Sequence, residues 1–326
     1  MSQEIWLEKY RPKLLNDVVG NDDIVEQFRE IVRDGQIPNL ILVGPPGCGK
    51  TTSVHCLGRE ILGSCFNTCC IELNASDDRG IEIVRTRIKD FAIQKVKLPP
   101  GRHKLIILDE ADSLTEAAQQ ALRMIISDYS DTTRFVFACN DSTKLIEPIQ
   151  SRCAILRFTK LSDKAILDNL QRILTEENVT AVTTKGLEAI IFTADGDMRT
   201  AINNLQSTLV GHGAVDEEGV YKICDVPDVN LVRAMSQACQ EGDYNTAIAG
   251  LQKLWAQSHT AYDIVNTLAK IMENSRIDVT LLFEFVNELT SLKMRILQGL
   301  PTFLQIAATL ARMCEIANNL KKHRQK

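Results

Sequence analysis

Asn39-Leu40-Ile41-Leu42-Val43-Gly44-Pro45-Pro46-Gly47-Cys48-Gly49-Lys50-Thr51-Thr52 is the stretch on which the reading of the chain turns. Its first five residues form a short apolar run that reads as a buried strand. The next eight fit the pattern G-x-x-x-x-G-K-[ST] in full, and Thr51 to Leu62 has the length and apolar spacing of a helix. A glycine-rich turn between a strand and a helix lets backbone amides crowd around a phosphate chain, while the helix adds its own free amides and the positive end of its dipole. Gly44, Pro45, Pro46, Gly47, Cys48, Gly49, Lys50, Thr51 and Thr52 are therefore the expected nucleotide cradle. Lys50 is expected to neutralise the β- and γ-phosphates and Thr51 to place its hydroxyl on Mg²⁺.

Working outward, short apolar runs alternate with longer helical patterns, the signature of a doubly wound α/β fold with a parallel sheet. Further strands are expected at Cys70–Leu73, Lys104–Leu108, Arg134–Cys139 and Ala154–Phe158. Asp109 and Glu110 follow the Leu105–Leu108 run, so both carboxylates should emerge at the carboxyl edge of the sheet, where open α/β folds bind ligands. The expected division of labour is Asp109 on the metal and Glu110 as general base for the attacking water. Guanine recognition would want an Asn-Lys-x-Asp element late in the sheet. Asn140-Asp141-Ser142-Thr143-Lys144 is not one, so ATP is favoured over GTP.

After Lys160 the strand signals stop, and apolar residues recur at helical spacing, with Gly196, Gly211, Gly213 and Pro227 as breaks. The expected organisation is an ATP-binding domain over residues 1–160, a small helical domain over 161–226 and an all-helical domain over 227–326. At 326 residues the chain is long for one core, which seldom grows beyond ~250 to 300 residues. The net charge of −5 gives no global signal for nucleic acid, so any DNA contact must come from a local basic patch. No apolar run reaches the ~18 to 20 residues a bilayer requires, so no membrane association is expected. Met1-Ser2-Gln3-Glu4 lacks the basic start of a secretory leader, and an intracellular location is expected. The ten cysteines lack zinc-ligand spacing and read as reduced, small core residues.

With Asp109-Glu110-Ala111-Asp112 in place, the chain resembles the AAA+ ATPases, and more closely the small subunits of replication factor C, the eukaryotic clamp loader. The resemblance runs through Trp6–Pro12, Asn74–Gly80, Glu147–Cys153 and Gly196–Arg199. The wording of Ser151–Arg157 and Ala201–Thr208 is most similar to the small subunit seated beside the large one. It implies a P-loop AAA+ core, a helical lid and a helical collar that makes the oligomer. It also implies that Asn140 matches the first sensor, which orients the attacking water, that Arg199 matches the second sensor, which reaches the γ-phosphate from the lid, and that Leu7, Arg11 and Val19 match the segment wrapping adenine. From the residues alone, Asn140 could equally be a strand-end turn former, Arg199 a surface arginine, and Trp6 and Tyr10 core aromatics.

The resemblance further implies that Arg152 is an arginine finger for a neighbouring subunit's ATP, where the residue alone would suggest an intramolecular salt bridge. Arg79, Arg85 and Lys144 are implied contacts to DNA phosphates, and Lys89 is expected with them because it falls on the same predicted helix four residues after Arg85, although Arg79, Arg85 and Lys89 taken as a bare charge run favour a solvated helix face. The implied partners are the large and other small subunits of a hetero-pentamer, the sliding clamp, and primer-template DNA, in the nucleus. The segment from Ser76 to Lys97 and the loop around Ser113 to Ala118 are candidate clamp surfaces, and the basic tail from Lys321 is assigned no role. Two rival functions stay open: a AAA+ motor that remodels DNA, and a structural ring member that binds ATP without turning it over.

Overall fold

A computed structural model describes residues 5–76, 82, 84–96, 98, 101–275 and 277–324. The chain forms two compact units, Met1–Asp216 and Glu217–Lys326. The first is built on strands β1 (Leu40–Val43), β2 (Cys70–Asn74), β3 (Lys104–Asp109), β4 (Thr133–Cys139) and β5 (Ala154–Arg157). They lie in the order β2-β3-β4-β1-β5, and every pairing is parallel. These are the five apolar runs expected from the sequence, with ends displaced by one residue. Helices α1 (Trp6–Lys9) and α2 (Asp22–Asp34) precede β1. Parallel neighbours need crossover connections, and the helices between the strands supply them: α3 (Lys50–Leu62), α4 (Phe66–Cys69), α5 (Lys89–Ile93), α6 (Glu116–Asp128) and α7 (Glu147–Gln150).

Side chains alternate across the sheet, and its central strands β1, β3 and β4 are buried on both faces, as a parallel sheet demands, while the edge strand β5 is largely exposed. Ile41, Ile106, Leu108, Phe135 and Phe137 pack on one face with Leu122, Ile125 and Ile126 of α6. Leu40, Leu42, Leu105, Ile107 and Val136 pack on the other with Phe28 of α2 and with Val54, Leu57 and Ile61 of α3. Full burial of a side chain such as Phe135 stabilises by about 1.5–3 kcal/mol. A charged residue is also packed beneath this sheet: Lys104 opens β3 and is buried. Its Nζ donates to the carbonyls of Phe91, Ala92 and Gln94 at 2.8, 2.5 and 2.8 Å. All three ammonium protons are thereby matched with carbonyls at the end of α5, which satisfies that helix terminus. Burial lowers the Lys104 pKa.

The first unit ends in α8 (Asp163–Glu176), α9 (Thr184–Ala194) and α10 (Met198–His212). Their starts are set by Ser162, Thr183 and Asp197, whose side chains accept from the amides of Ala165, Gly186 and Thr200. The second unit comprises α11 (Glu217–Ile223), α12 (Val229–Glu241), α13 (Tyr244–Ala256), α14 (Ala261–Glu273), α15 (Val279–Leu297) and α16 (Phe303–Arg324). Asp228, Asp243, Thr260 and Asp278 cap α12 to α15 in the same way. Its core draws on each of these four helices and on α16, through Met235, Leu251, Leu268, Phe285 and Leu310 among others. The ten cysteines are free thiols, and no described helix is long and apolar enough to cross a membrane.

Candidate nucleotide site

The carboxyl ends of β1, β3 and β4 open into a cleft of about 400 Å³, a size suited to a nucleotide-scale ligand. Pro46, Gly47, Cys48, Gly49, Lys50, Thr51 and Thr52 line it, together with Asp109, Glu110 and Asn140. The local fold follows from the sequence. Gly47 and Gly49 take φ of +66° and +94°, which side-chain-bearing residues rarely adopt, and the turn they make ends at the first residue of α3. Lys50 is buried, and its Nζ donates to the carbonyls of Gly44 and Pro45 at 2.8 Å each and to Asn140 Oδ1 at 3.1 Å. A phosphate oxygen is a stronger acceptor for an ammonium than a neutral carbonyl.

The carboxylates are equally well placed. Thr51 Oγ1 donates to Asp109 Oδ2 at 2.9 Å, and the Glu110 amide donates to Asp109 Oδ1 at 2.9 Å. Both oxygens of Asp109 are thus oriented, one of them beside the Thr51 hydroxyl. Glu110 is exposed with a φ of +50°, a strained backbone for a glutamate and one that points to a functional constraint. Cys48 and Cys139 also line the cleft. Burial raises the Cys48 thiol above its usual range and pushes Cys139 up to about 11, so neither is a nucleophile near neutral pH.

Arg199, in the first turn of α10, reaches the cleft with Met198 and Ile202, and Leu7, Arg11 and Val19 line it from the N-terminal segment. Tyr10 lines it too, and Trp6 packs edge-on against Tyr10 with centroids 6.4 Å apart; both are half-buried, so neither is a core aromatic. Arg152 does not line the cleft. It is exposed, with a guanidinium nitrogen donating to the Pro148 carbonyl at 2.7 Å. Lys89 is exposed on α5, and Lys144 is exposed with its Nζ 3.8 Å from Asp112. Arg79 lies outside the described residues, as does the side chain of Arg85.

Several residues at the site went unread in the sequence. Asp197 caps α10, and its carboxylate lies against Gly47; the Met198 amide donates to the Gly47 carbonyl at 3.2 Å. The signal for the cap was available in an aspartate preceding a helical pattern, but the signal for the contact was not. Gln119 is buried, donating to the carbonyls of Leu114 and Lys144 and accepting from the Ile146 amide, while Gln150 donates to the carbonyls of Ser142 and Leu145. These two amides fix the loop that follows Asn140.

Three family models match the chain: the ATPase family associated with various cellular activities over residues 40–161, the replication factor C C-terminal domain over 227–312, and the Rad17 P-loop domain over 1–78. Replication factor C subunit 4 of Saccharomyces cerevisiae is 49% identical over 96% of each chain. Replication factor C subunit 2 of Arabidopsis thaliana is 50% identical over 98% of this chain and 95% of its own. A replication factor C small subunit of Natronomonas pharaonis is 39% identical over 95% of this chain and 94% of its own. Among solved structures, the Thermotoga maritima RuvB Holliday junction branch migration motor superposes with a TM-score of 0.55 at 21% identity, covering 76% of this chain and 85% of that one, a likeness of fold. With relatives this similar along almost its whole length, and with a nucleotide-binding P-loop cleft, the chain belongs to the replication factor C small subunits and is an AAA-type ATPase of the clamp loader.

Proposed function

We propose that the chain binds ATP with Mg²⁺ in this cleft and hydrolyses it as one subunit of a hetero-pentameric ring, which opens a sliding clamp and sets it on primer-template DNA in the nucleus. The observation that carries the reading is the convergence of Lys50, Thr51, Asp109 and Asn140 through direct hydrogen bonds, with Glu110 next to Asp109. The Thr51 hydroxyl and the Asp109 carboxylate are two hard oxygen donors side by side, a set that fits Mg²⁺. The ion would neutralise charge on the β- and γ-phosphates. Lys50 would exchange its carbonyl partners for phosphate oxygens, Asn140 would orient the attacking water, and Glu110 would take its proton. Arg199 would approach the γ-phosphate from the lid.

The exposed Arg152 lies outside its own cleft, which suits a finger acting on the neighbouring subunit's ATP. Arg79, Arg85, Lys89 and Lys144 would hold DNA phosphates without reading bases, so binding would be sequence-tolerant and salt-dependent. In this reading residues 1–160 form the ATPase core, 161–226 the lid and 227–326 the collar. The test separates binding from chemistry. In the isolated chain Lys50→Ala should weaken ATP binding at least about tenfold. In the assembled complex Glu110→Gln should keep ATP bound while its site loses about 10² or more in turnover. Unchanged ATP affinity in Lys50→Ala, or unchanged turnover at the Glu110→Gln site, would remove the basis for this mechanism.

A further inference from the structure

The cleft beyond the phosphate loop is walled on one side by an N-terminal strap fastened to the helical layer of the same unit. The Trp6 amide donates to Gln206 Oε1 of α10 at 3.0 Å, and two groups converge on Glu177 Oε1: the Lys9 ammonium and the Tyr10 hydroxyl, each at 2.7 Å. Lys9 also lies 5.2 Å from the centroid of the Tyr10 ring, so strap and anchor form one compact cluster. Glu177 occupies the C-cap of α8. A carboxylate at a helix C-terminus faces unpaired carbonyls and the negative end of the dipole, so α8 itself gains nothing from an acid there. The strap is what uses it. Lys9 and Tyr10 hold the Glu177 carboxyl below the usual carboxylate range.

Leu7, Tyr10 and Arg11 of the strap line the same cleft as Leu161, Met198 and Ile202 of the lid, while Lys50, Thr51 and Asp109 occupy the polar part. A nucleotide with its phosphates on the loop has this largely apolar remainder for its base. We propose that Glu177 is a positioning residue for the base: it fastens the strap to the α8–α10 layer, so that the wall against the base and the layer bearing Arg199 move as one piece. The inference rests on the nucleotide reading of the cleft. Its consequence is that the affinity contributed by the base, and not that contributed by the phosphates, passes through Glu177.

Calorimetric titration of the full chain with Mg-ATP and with Mg-tripolyphosphate, which has the phosphates and no base, tests this. Wild type should bind ATP more tightly than tripolyphosphate. Glu177→Ala should raise the ATP Kd about tenfold and leave the tripolyphosphate Kd within about twofold. Glu177→Gln keeps an acceptor for Tyr10 without a charge for Lys9 and should fall between, which also guards against a misfolded alanine variant. If Glu177→Ala leaves both affinities unchanged, or weakens both in parallel, the anchor is refuted while the cleft reading stands. If wild type itself binds the two ligands equally, the base has no wall here, and the reading of the cleft falls with the anchor.

Discussion

At the scale of single residues, the contact between Gly47 and Asp197 makes the sharpest demand. Gly47 has a φ of +66°, and a Cβ on it would collide with the Asp197 carboxylate that caps α10. Gly47→Ala should therefore cost about 1–3 kcal/mol of stability and weaken nucleotide binding. Asp197→Ala removes the obstacle and loses a cap, at a cost of about 1 kcal/mol. Denaturant unfolding of the two single variants and the double should give a double-variant loss smaller than the sum; strict additivity would mean that the loop and α10 are uncoupled. The glycine and the capping aspartate are each legible in sequence, because a turn and a helix start are local matters. Their contact is not, since it depends on where α8 to α10 dock. Tyr10 shows the same limit: its aromatic ring suggests a core position, and only the fold turns it into a cleft wall with a hydroxyl for Glu177.

At the scale of elements, the strands and helices follow from period and caps, which is why five apolar runs became five strands within a residue of expectation. Side-chain ties between elements were less visible. Lys104, a residue type that seldom lies inside, is in the core because its Nζ reaches three carbonyls around the end of α5. The segment leading into α5 contains a π-helical turn over Val84–Ile88, which no apolar spacing announces. His55 of α3 and Glu72 of β2 are joined by a 2.9 Å contact, and the His55 hydrogen bond, outweighing partial burial, holds the Glu72 carboxyl below its usual value of 4.5. A depressed carboxylate contributes stability that is fully present above its unfolded pKa and is lost as pH falls through the folded one. Wild type should accordingly exceed Glu72→Gln in stability at pH 6 to 7, and the two should converge as pH falls below about 4.5. A stability difference independent of pH across that range would assign the contact no ionic role.

At the scale of the whole molecule, the second unit carries an apolar face that its own core does not use. On α15, Phe285, Leu289, Leu292 and Ile296 point into the core, while Val279, Phe283, Val286, Met294 and Leu297 form a second stripe at helical spacing. Phe283 and Leu297 are 72% and 75% exposed, as befits a docking surface for another subunit rather than a solvated helix. Phe283→Glu with Leu297→Glu should leave the melting temperature of the isolated chain nearly unchanged and remove the chain from the complex on size-exclusion chromatography of co-expressed subunits. Retention of the doubly charged chain in the complex would assign assembly to another surface. The sequence made the family legible through the motifs of the first 226 residues, while the second unit was evident mainly as helicity, because exposed apolar stripes of this kind reuse the residue types of a core.

The central claim is that ATP turnover is completed between subunits, and Arg152→Ala tests it most directly. Clamp- and DNA-stimulated ATPase should be measured on the assembled complex carrying this substitution, with ATP affinity of the isolated variant chain measured in parallel. The expected result is an ATP affinity within about twofold of wild type in the variant chain, together with a loss of about 10³ to 10⁵ in turnover at the one neighbouring site. Stimulated turnover at that site equal to wild type, or a loss of the chain's own ATP affinity like that of Lys50→Ala, would contradict it.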